Sequence, residues 1–442
     1  MKFVYFYLLL SLTFEASYSQ KLIVFKDKSK IISISNKALI LDDKLNNLQI
    51  KDVLESKLFK ESQQNVPNFQ ITKSSIWVKL KILNKTDLDH LTLELPYPTI
   101  DSITFINVLP NNNLIFDYTG EYIPISNRSF HHQNYIFNLN IKRNQIGFFL
   151  LKIKASEQIQ LPLLLGSERE ILESNNMLDL IFGIYTGIIF VMFFYNIFVY
   201  FSIKDNTYLI YVLYILSVGF TQGSLQGYTF RYLYPTSVYL PNLMLVIAPV
   251  FSGIFAILFV KKFILTQQHT PILNKILNFV LGFYILILTI GLFGFYHISA
   301  ELVQINAGIA SLLVLITSYT IYKMHYKPAL FFLVAWSIFL TSVIVFVLRN
   351  FNILPYNSYT YYALQIGSAL EVILLSFALA DKINIYKKEK EISQAVTLSA
   401  LEENDRIIRE QNSTLERKVK ERTNELVSTN KNLSKTLTDL KF

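Results

Sequence analysis

The sequence contains no cysteine among its 442 residues. It therefore has no disulfide, no thiolate metal ligand and no thiol nucleophile. Charge is also scarce, since 17% of the residues are charged and 52% are hydrophobic. This balance is too apolar for a soluble protein of such length, and it indicates a membrane domain.

Motifs of the common catalytic sites are missing as well. The chain has no GxxxxGKS or GxxxxGKT phosphate loop, no HExxH motif and no nucleophile elbow. The last histidine is His325, so the C-terminal segment has no phospho-accepting histidine. Neighbouring strand residues point to opposite faces, which makes His131 and His132 a poor chelating pair. We expect no enzymatic activity, no cofactor and no metal site.

Apolar residues are concentrated between residues 178 and 380, and this concentration divides the chain into parts. Residues 1–19 are expected to be a signal peptide, 20–172 an exported domain, 173–382 a membrane domain and 383–442 a cytoplasmic helix. The first apolar run, residues 3–14, is shorter than the about 20 residues that a spanning helix needs. An uncleaved anchor is the alternative for this run.

The exported domain alternates between apolar and polar residues, as β-strands do. The alternation is clearest at Ile76, Val78, Leu80 and Ile82, and it returns at 135–141 and 149–153. Segments rich in Asn and Pro separate these runs. Several short strands at this spacing predict an antiparallel sandwich or jelly roll.

Trp77, Lys79 and Lys81 are the candidate ligand contacts of this domain. Alternation places all three on the strand face opposite the aliphatic row. An exposed Trp beside polar groups is suited to stacking on a sugar ring. The alternative is a half-buried strand residue covered by a loop.

Seven apolar stretches predict seven transmembrane helices. They are residues 178–201, 208–225, 242–260, 277–296, 302–322, 329–348 and 359–380. Glu371 lies inside the last stretch, where a carboxylate is costly unless it is paired or protonated. It is a candidate switch contact or proton site, and the alternative is a fixed structural hydrogen bond.

The distribution of lysine and arginine predicts the orientation of the chain in the membrane. With the exported domain outside, the inner loops hold Lys204, Lys261, Lys262, Lys323 and Lys327, and the outer loops only Arg231 and Arg349. Cytoplasmic loops accumulate these residues, so we expect an inner-membrane protein with its C-terminus in the cytoplasm. The net charge of +9 forms no stripe on a soluble domain, which argues against a nucleic-acid partner.

The C-terminal segment has neither Pro nor Gly after Asp381 and fits a heptad repeat. The proposed seam consists of Leu398, Leu401, Ile408, Asn412, Leu415, Val419, Leu426, Leu433 and Leu440. A single buried Asn on such a seam favours a parallel dimer in one register. We therefore expect a homodimeric coiled coil; a solvated helix on the membrane surface is the alternative.

Taken in order, these motifs resemble the bacterial seven-transmembrane receptors with diverse intracellular signalling modules. In the exported domain the similar segments are SIWVKLKILN at 75–84, LPYPTIDSI at 95–103, FLLKI at 149–153 and QLPL at 160–163. In the membrane domain they are Gly183, Gly187, Tyr195-Asn196, GSALEV at 367–372 and LADKI at 379–383. LERKVKERTNEL at 415–426 is similar to the linker that precedes an output domain in that family.

The resemblance implies a jelly-roll sensor for a carbohydrate or another small ligand, with signal passing through the helices to an output domain. Here the sequence stops at Phe442, where that output would begin. We therefore expect a receptor that docks a separate cytoplasmic signalling protein or has lost its output module. A transporter and a membrane scaffold without signalling are the rival functions.

Overall fold

The computed structural model describes residues 22–62, 64–111, 113–326 and 328–439. Within these ranges the chain forms a β-sandwich, seven apolar helices and a long C-terminal helix, as predicted. The predicted signal peptide lies outside the described residues. The chain divides after Phe377 into two compact units.

Antiparallel pairing dominates the sandwich. Its strands are β1 Ile23–Phe25, β2 Ile32–Ser33, β3 Leu39–Asp43, β4 Lys60–Glu61, β5 Asn68–Ile71, β6 Ser75–Asn84, β7 Leu91–Leu95, β8 Ser102–Val108, β9 Leu114–Thr119, β10 Tyr135–Leu139, β11 Ile146–Lys154, β12 Gln158–Gln160 and β13 Leu164–Gly166. The larger sheet has the order β4-β3-β6-β11-β8-β9, and β1 runs parallel to β6. The smaller sheet has the order β10-β7-β13-β2, and β12 pairs with β5.

The core between the two sheets is formed by the residues that alternation placed inward. Ile76, Val78, Leu80 and Ile82 of β6 are fully buried, and they belong to one cluster with Phe137 of β10. Burial of each such side chain stabilises the fold by about 1.5–3 kcal/mol. Without disulfides, this core supplies much of the stability of the sandwich.

Trp77 corrects the prediction of an exposed platform, because its side chain is only 1% exposed. It belongs to a second apolar cluster on the outer face of the larger sheet, together with Val53 of the short helix α1, Ile50–Glu55. The Lys152 ammonium lies 5.1 Å from the centre of the indole ring. Alternation assigned the correct face, but α1 and its flanking residues cover that face. The ring is therefore not available to stack on a sugar.

The helices after the sandwich include seven that are long and apolar enough to cross a membrane. They are α2 Glu168–Ile203, α3 Asn206–Leu225, α5 Leu240–Phe263, α7 Pro271–Leu292, α8 Tyr296–Lys323, α9 Pro328–Asn350 and the start of α10 Ser358–Asp439; the short helices α4 Tyr228–Tyr232 and α6 Thr266–His269 lie between them. The structure thus confirms seven apolar helices of spanning length among the described residues.

Several boundaries differ from the sequence prediction, and two of them have a clear local cause. Helix α2 already begins at Glu168, before the predicted domain boundary at residue 173, because the Ser167 hydroxyl caps it by accepting from the Glu170 amide at 3.3 Å. The fourth predicted stretch, residues 277–296, joins two helices. Gly294 adopts a positive φ of 86° between them, which the apolar composition around it did not reveal.

The C-terminal unit, from Ala378 onward, is helical over its described residues. Seven members of the predicted seam are more than half exposed: Leu398, Leu401, Ile408, Leu415, Val419, Leu426 and Leu433. Asn412 is exposed as well, and Leu440 lies outside the described residues. The coiled coil stays a prediction.

Replacing Trp77 tests its place in the outer apolar cluster. We expect Trp77→Ala to lower the free energy of unfolding by about 3–5 kcal/mol, because it removes a large buried side chain and leaves a cavity. Lys81→Ala, on the same strand face, serves as the matched control and is expected to change stability by less than about 1 kcal/mol. Thermal unfolding of the detergent-purified chain measures both. Equal stability of the Trp77→Ala and Lys81→Ala variants would contradict the burial of Trp77 and favour the exposed platform.

Candidate signal-transmission site

The sandwich is joined to one end of the helix bundle by hydrogen bonds. The bundle contributes Asn175 near the start of α2, His297 near the start of α8 and Asn350 at the end of α9. His297 Nδ1 lies 3.0 Å from the Ser156 carbonyl oxygen. The Asn350 carbonyl accepts from Asn68 at 2.9 Å and from Gln158 at 3.0 Å. Three apolar helices are thus attached directly to strands or loops of the sandwich.

Glu94 of β7 occupies the first polar cluster of this junction. Its Oε1 atom accepts hydrogen bonds from the Asn134 amide of the sandwich and from the Asn175 amide of α2, both at 2.8 Å. The side chain is 2% exposed, and burial raises the pKa of the Glu94 carboxyl. One donor belongs to the sandwich and the other to the bundle, so separating sandwich and bundle would leave the buried Glu94 carboxyl without one of its hydrogen-bond donors.

Asp179 of α2 forms the second cluster, together with groups of the loop and helix between α3 and α5. Its carboxylate accepts from Arg231 at 2.8 Å, from Tyr228 at 2.8 Å and from Gln133 of the sandwich at 3.3 Å. Arg231 also donates to the Gln133 amide oxygen at 2.8 Å. The ion pair is about three quarters buried on each side, and it holds one sandwich loop against two parts of the bundle.

His132 lies beside this ion pair but is not part of it. Burial lowers the pKa of its imidazole to about 4, and the positive charge of Arg231 adds to the effect. Its Nδ1 accepts from the Asn134 backbone amide at 3.1 Å, which places the proton of the neutral ring on Nε2. At neutral pH the His132 ring is therefore uncharged. Its Nε2 atom lies 3.9 Å from a carboxylate oxygen of Asp179, but the two groups do not form an ion pair.

Asp101, Glu121 and Glu157 form the third cluster, where the sandwich faces the start of α5. Burial raises the pKa of all three carboxyls; for Glu121 and Glu157 a neighbouring carboxylate raises it further, and Glu157 reaches about 8. The Asn242 amide of α5, turned so that it donates, lies 3.3 Å from both Asp101 and Glu121. Gly120 holds this turn at a φ of 133°, and a Cβ there would collide with the Asp101 carbonyl.

Inside the bundle, α2 and α3 are hydrogen-bonded to the first part of α10. Tyr214 of α3 lies 2.8 and 2.7 Å from the two carboxyl oxygens of Glu371, which is fully buried. Asn196 of α2 donates to Ser376 at 3.0 Å, and Tyr211 donates to the Val372 carbonyl at 2.5 Å. These contacts connect α2 and α3, two helices that border the junction, to the last helix.

The structure brings Glu371 into this polar arrangement and leaves the other predicted contacts elsewhere. Lys79 donates to the Leu54 carbonyl at 3.2 Å and lies over the Phe59 ring, while Lys81 lies over the Phe148 ring. Both lysines belong to the outer face of the larger sheet. Their role as ligand contacts stays a prediction.

Sequence reasoning missed the junction residues, although some left a signal. Asp179 is an acidic residue directly after the start of the first apolar stretch, and such a charge at a span end requires a partner. Glu94 left a weaker signal, because it alternates with Leu93 and Leu95 and therefore lies on the strand face opposite these leucines. Burial of that face by the bundle is not readable from the local pattern.

Two family models match the chain. The one described as 7TM diverse intracellular signalling matches residues 178–382, and the one described as 7TMR-DISM extracellular 2 matches residues 35–167. The matched ranges coincide with the bundle and the sandwich, which makes the chain a multi-pass membrane protein with an extracellular-type domain. No curated protein matches it.

The contact between Tyr214 and Glu371 is tested by a double-mutant cycle. We expect Tyr214→Phe and Glu371→Leu to be coupled by about 1–3 kcal/mol in the free energy of unfolding, because each removes the partner of a buried polar group. Tyr284→Phe combined with Glu371→Leu is the control pair and should be additive. Unfolding in mixed micelles supplies the values, and additivity of the first pair would contradict the contact.

The buried Glu157 predicts a dependence of stability on pH. An acid whose pKa is raised in the folded state binds protons more tightly there, so stability falls as pH rises from about 4.5 toward about 8. We expect Glu157→Gln to have the same melting temperature as the native chain near pH 4 and a higher melting temperature than the native chain at pH 8. The exposed Glu61 provides the control, since Glu61→Gln should show no such difference. A difference in melting temperature between Glu157→Gln and the native chain that is the same at both pH values would contradict the raised pKa of Glu157.

Proposed function

Because the chain belongs to the seven-transmembrane receptors with diverse intracellular signalling, we propose that it detects a ligand outside the cytoplasm and transmits this event to its cytoplasmic helix. The junction between sandwich and bundle carries the proposal. A change in the sandwich at Glu94, Gln133 or Gln158 acts directly on helices of the bundle through the hydrogen bonds described above. The ligand must bind two arrangements of this junction with different affinities, since otherwise it shifts nothing.

The proposed orientation places the sandwich outside and the C-terminus in the cytoplasm of a cell with an inner membrane. Two features support it when taken together. The sandwich contacts the start of α2 and of α8 and the end of α9, which lie at one end of an alternating bundle. Lys204, Lys261 and Lys323 lie at or just beyond the opposite ends of α2, α5 and α8, as cytoplasmic residues do.

For the output we propose a parallel homodimer through the seam from Leu398 to Leu433, which engages a separate signalling protein. The exposed apolar stripe of the C-terminal helix supports this proposal. On this proposal the chain has no catalytic activity of its own and holds no cofactor. Purification of the receptor from crosslinked native membranes, followed by identification of the bound proteins, tests the partner directly.

The ligand is proposed to be a small molecule that the sandwich binds, with carbohydrates as the first class to test. Lys79 and Lys81 are the proposed polar contacts, whereas Trp77 is excluded as a surface platform by its burial. A glycan array probed with the purified chain measures this specificity. Binding that persists unchanged in the Lys79→Ala and Lys81→Ala double variant would remove both residues from the proposal.

Transmission is tested without knowing the ligand, by disturbing the junction and observing the tail. The cysteine-free chain allows single cysteines at seam position Leu415→Cys and at the outward control Arg417→Cys. We expect Arg231→Gln to change the rate of disulfide crosslinking at Leu415→Cys at least twofold and to leave Arg417→Cys unchanged. Arg169→Gln is the matched control, because it breaks an exposed ion pair with Glu173 on α2, the helix that also carries Asp179.

An unchanged rate of disulfide crosslinking at Leu415→Cys in the Arg231→Gln chain would contradict transmission and favour a scaffold.

A transporter is the second candidate function, because Tyr214 both contacts Glu371 and lines a cavity in the bundle. Solute uptake by reconstituted vesicles distinguishes it. Uptake that is lost in Glu371→Leu would favour transport over signalling.

A further inference from the structure

A cavity of about 190 Å³ lies among helices α3, α5, α7, α8 and α9. Its walls are mainly apolar and aromatic, with Val314 of α8 and Trp336, Phe339 and Val343 of α9 among them. A dry protein cavity of about 150 Å³ accepts benzene. By the same measure this cavity accommodates a hydrocarbon of roughly seven or eight carbon atoms.

A second, smaller cavity of about 60 Å³ continues the first toward the sandwich. The two share lining residues, among them Glu157 of the sandwich and Gln222 of α3. The smaller cavity is lined mainly by polar side chains, including Gln226, Arg349 and Asn350. The combined space is therefore apolar inside the bundle and polar beneath the sandwich.

Arg349 is the charged group of the polar end. Its side chain is 5% exposed, and its hydrogen bonds go to the neutral Asn350 amide oxygen at 3.0 Å and the Thr360 carbonyl at 3.4 Å. Its Nε atom is buried without a hydrogen-bond partner among the described residues. Aromatic rings surround the guanidinium, with the centres of Phe346 and Tyr361 at 4.8 and 5.5 Å.

A buried cation with only neutral partners is unfavourable, and an anion in the adjoining space would complement it. Guanidinium groups bind carboxylates through two parallel N–H···O hydrogen bonds. We propose that this space binds a small amphipathic acid, with its carboxylate at Arg349 and a chain of roughly seven or eight carbon atoms in the apolar cavity.

Glu157 faces the same space and does not oppose this ligand. Burial raises the pKa of its carboxyl to about 8, so at neutral pH it is mainly protonated and can donate a hydrogen bond. The site is inside the bundle and separate from the candidate ligand contacts Lys79 and Lys81. It goes beyond the proposed sensing of an external ligand, and its test does not depend on signalling.

Trp336 lines the cavity and offers a direct readout, because the chain has only two tryptophans. In a Trp77→Phe chain, 8-bromooctanoate is expected to quench Trp336 fluorescence in a saturable manner. The neutral analogue 8-bromooctanol should bind at least tenfold more weakly. A Trp336→Phe chain that retains Trp77 reports the quenching caused by partition into the detergent alone.

Two substitutions identify the site. Arg349→Gln should weaken binding of the acid at least tenfold and leave binding of the alcohol unchanged. Ala307→Phe places a ring in the cavity and should abolish saturable quenching by both. Ile309→Phe is the matched control, since this side chain of the same helix is exposed and does not line the cavity.

Any of three results would overturn the proposal. Quenching that rises linearly in the Trp77→Phe chain, or quenching that stays saturable in Ala307→Phe, is incompatible with binding in the bundle cavity. Equal affinity for acid and alcohol in the presence of Arg349 is incompatible with a carboxylate bound at this residue. Circular dichroism of each variant ensures that only folded chains are compared.

Discussion

The structure depends on one constraint: polar groups buried where the sandwich meets the helices must find partners across that junction. Glu94 obtains one amide from the sandwich and one from α2, and Asp179 obtains donors from both parts. An unsatisfied buried carboxyl costs several times more than the net gain of an ordinary hydrogen bond. The two parts therefore hold each other in one arrangement, and a second arrangement requires exchanging partners at several clusters together.

This constraint supplies a route by which the proposed external event would reach the last helix. α2 carries Asn175 and Asp179 at the junction and Asn196 farther along, where it donates to Ser376. A helix is a stiff element, so displacement of its start is felt at Asn196. α3 lies next to it and holds Glu371 through Tyr214. In a receptor with two arrangements, the hydrogen bond between Tyr214 and Glu371 would be a fixed structural contact within one arrangement and a switch contact between the two.

The fold was largely predictable from local pattern, since strand alternation and apolar length are read directly from neighbouring residues. Ile76, Val78, Leu80 and Ile82 were placed correctly because the two faces of β6 differ in composition. For Trp77 the pattern left a surface platform and a covered strand residue open, and only the structure shows the cover, since a distant segment, α1, packs on the face to which alternation assigned the ring. The junction was missed for the same reason. Burial of Glu94, Asp101 and Glu157 results from packing between parts that are far apart in sequence, which no local period encodes.

Hydrogen exchange of the full chain tests most directly whether the junction couples the sandwich to the bundle. Arg231→Gln removes the guanidinium that donates to both Asp179 and Gln133, and it leaves β7, β10 and the start of α2 unaltered in sequence. The account predicts faster amide exchange both in β10 and in the start of α2, because both lose a shared support. Faster exchange confined to the segment around residue 231 would contradict it, since the sandwich and bundle would then be stabilised independently.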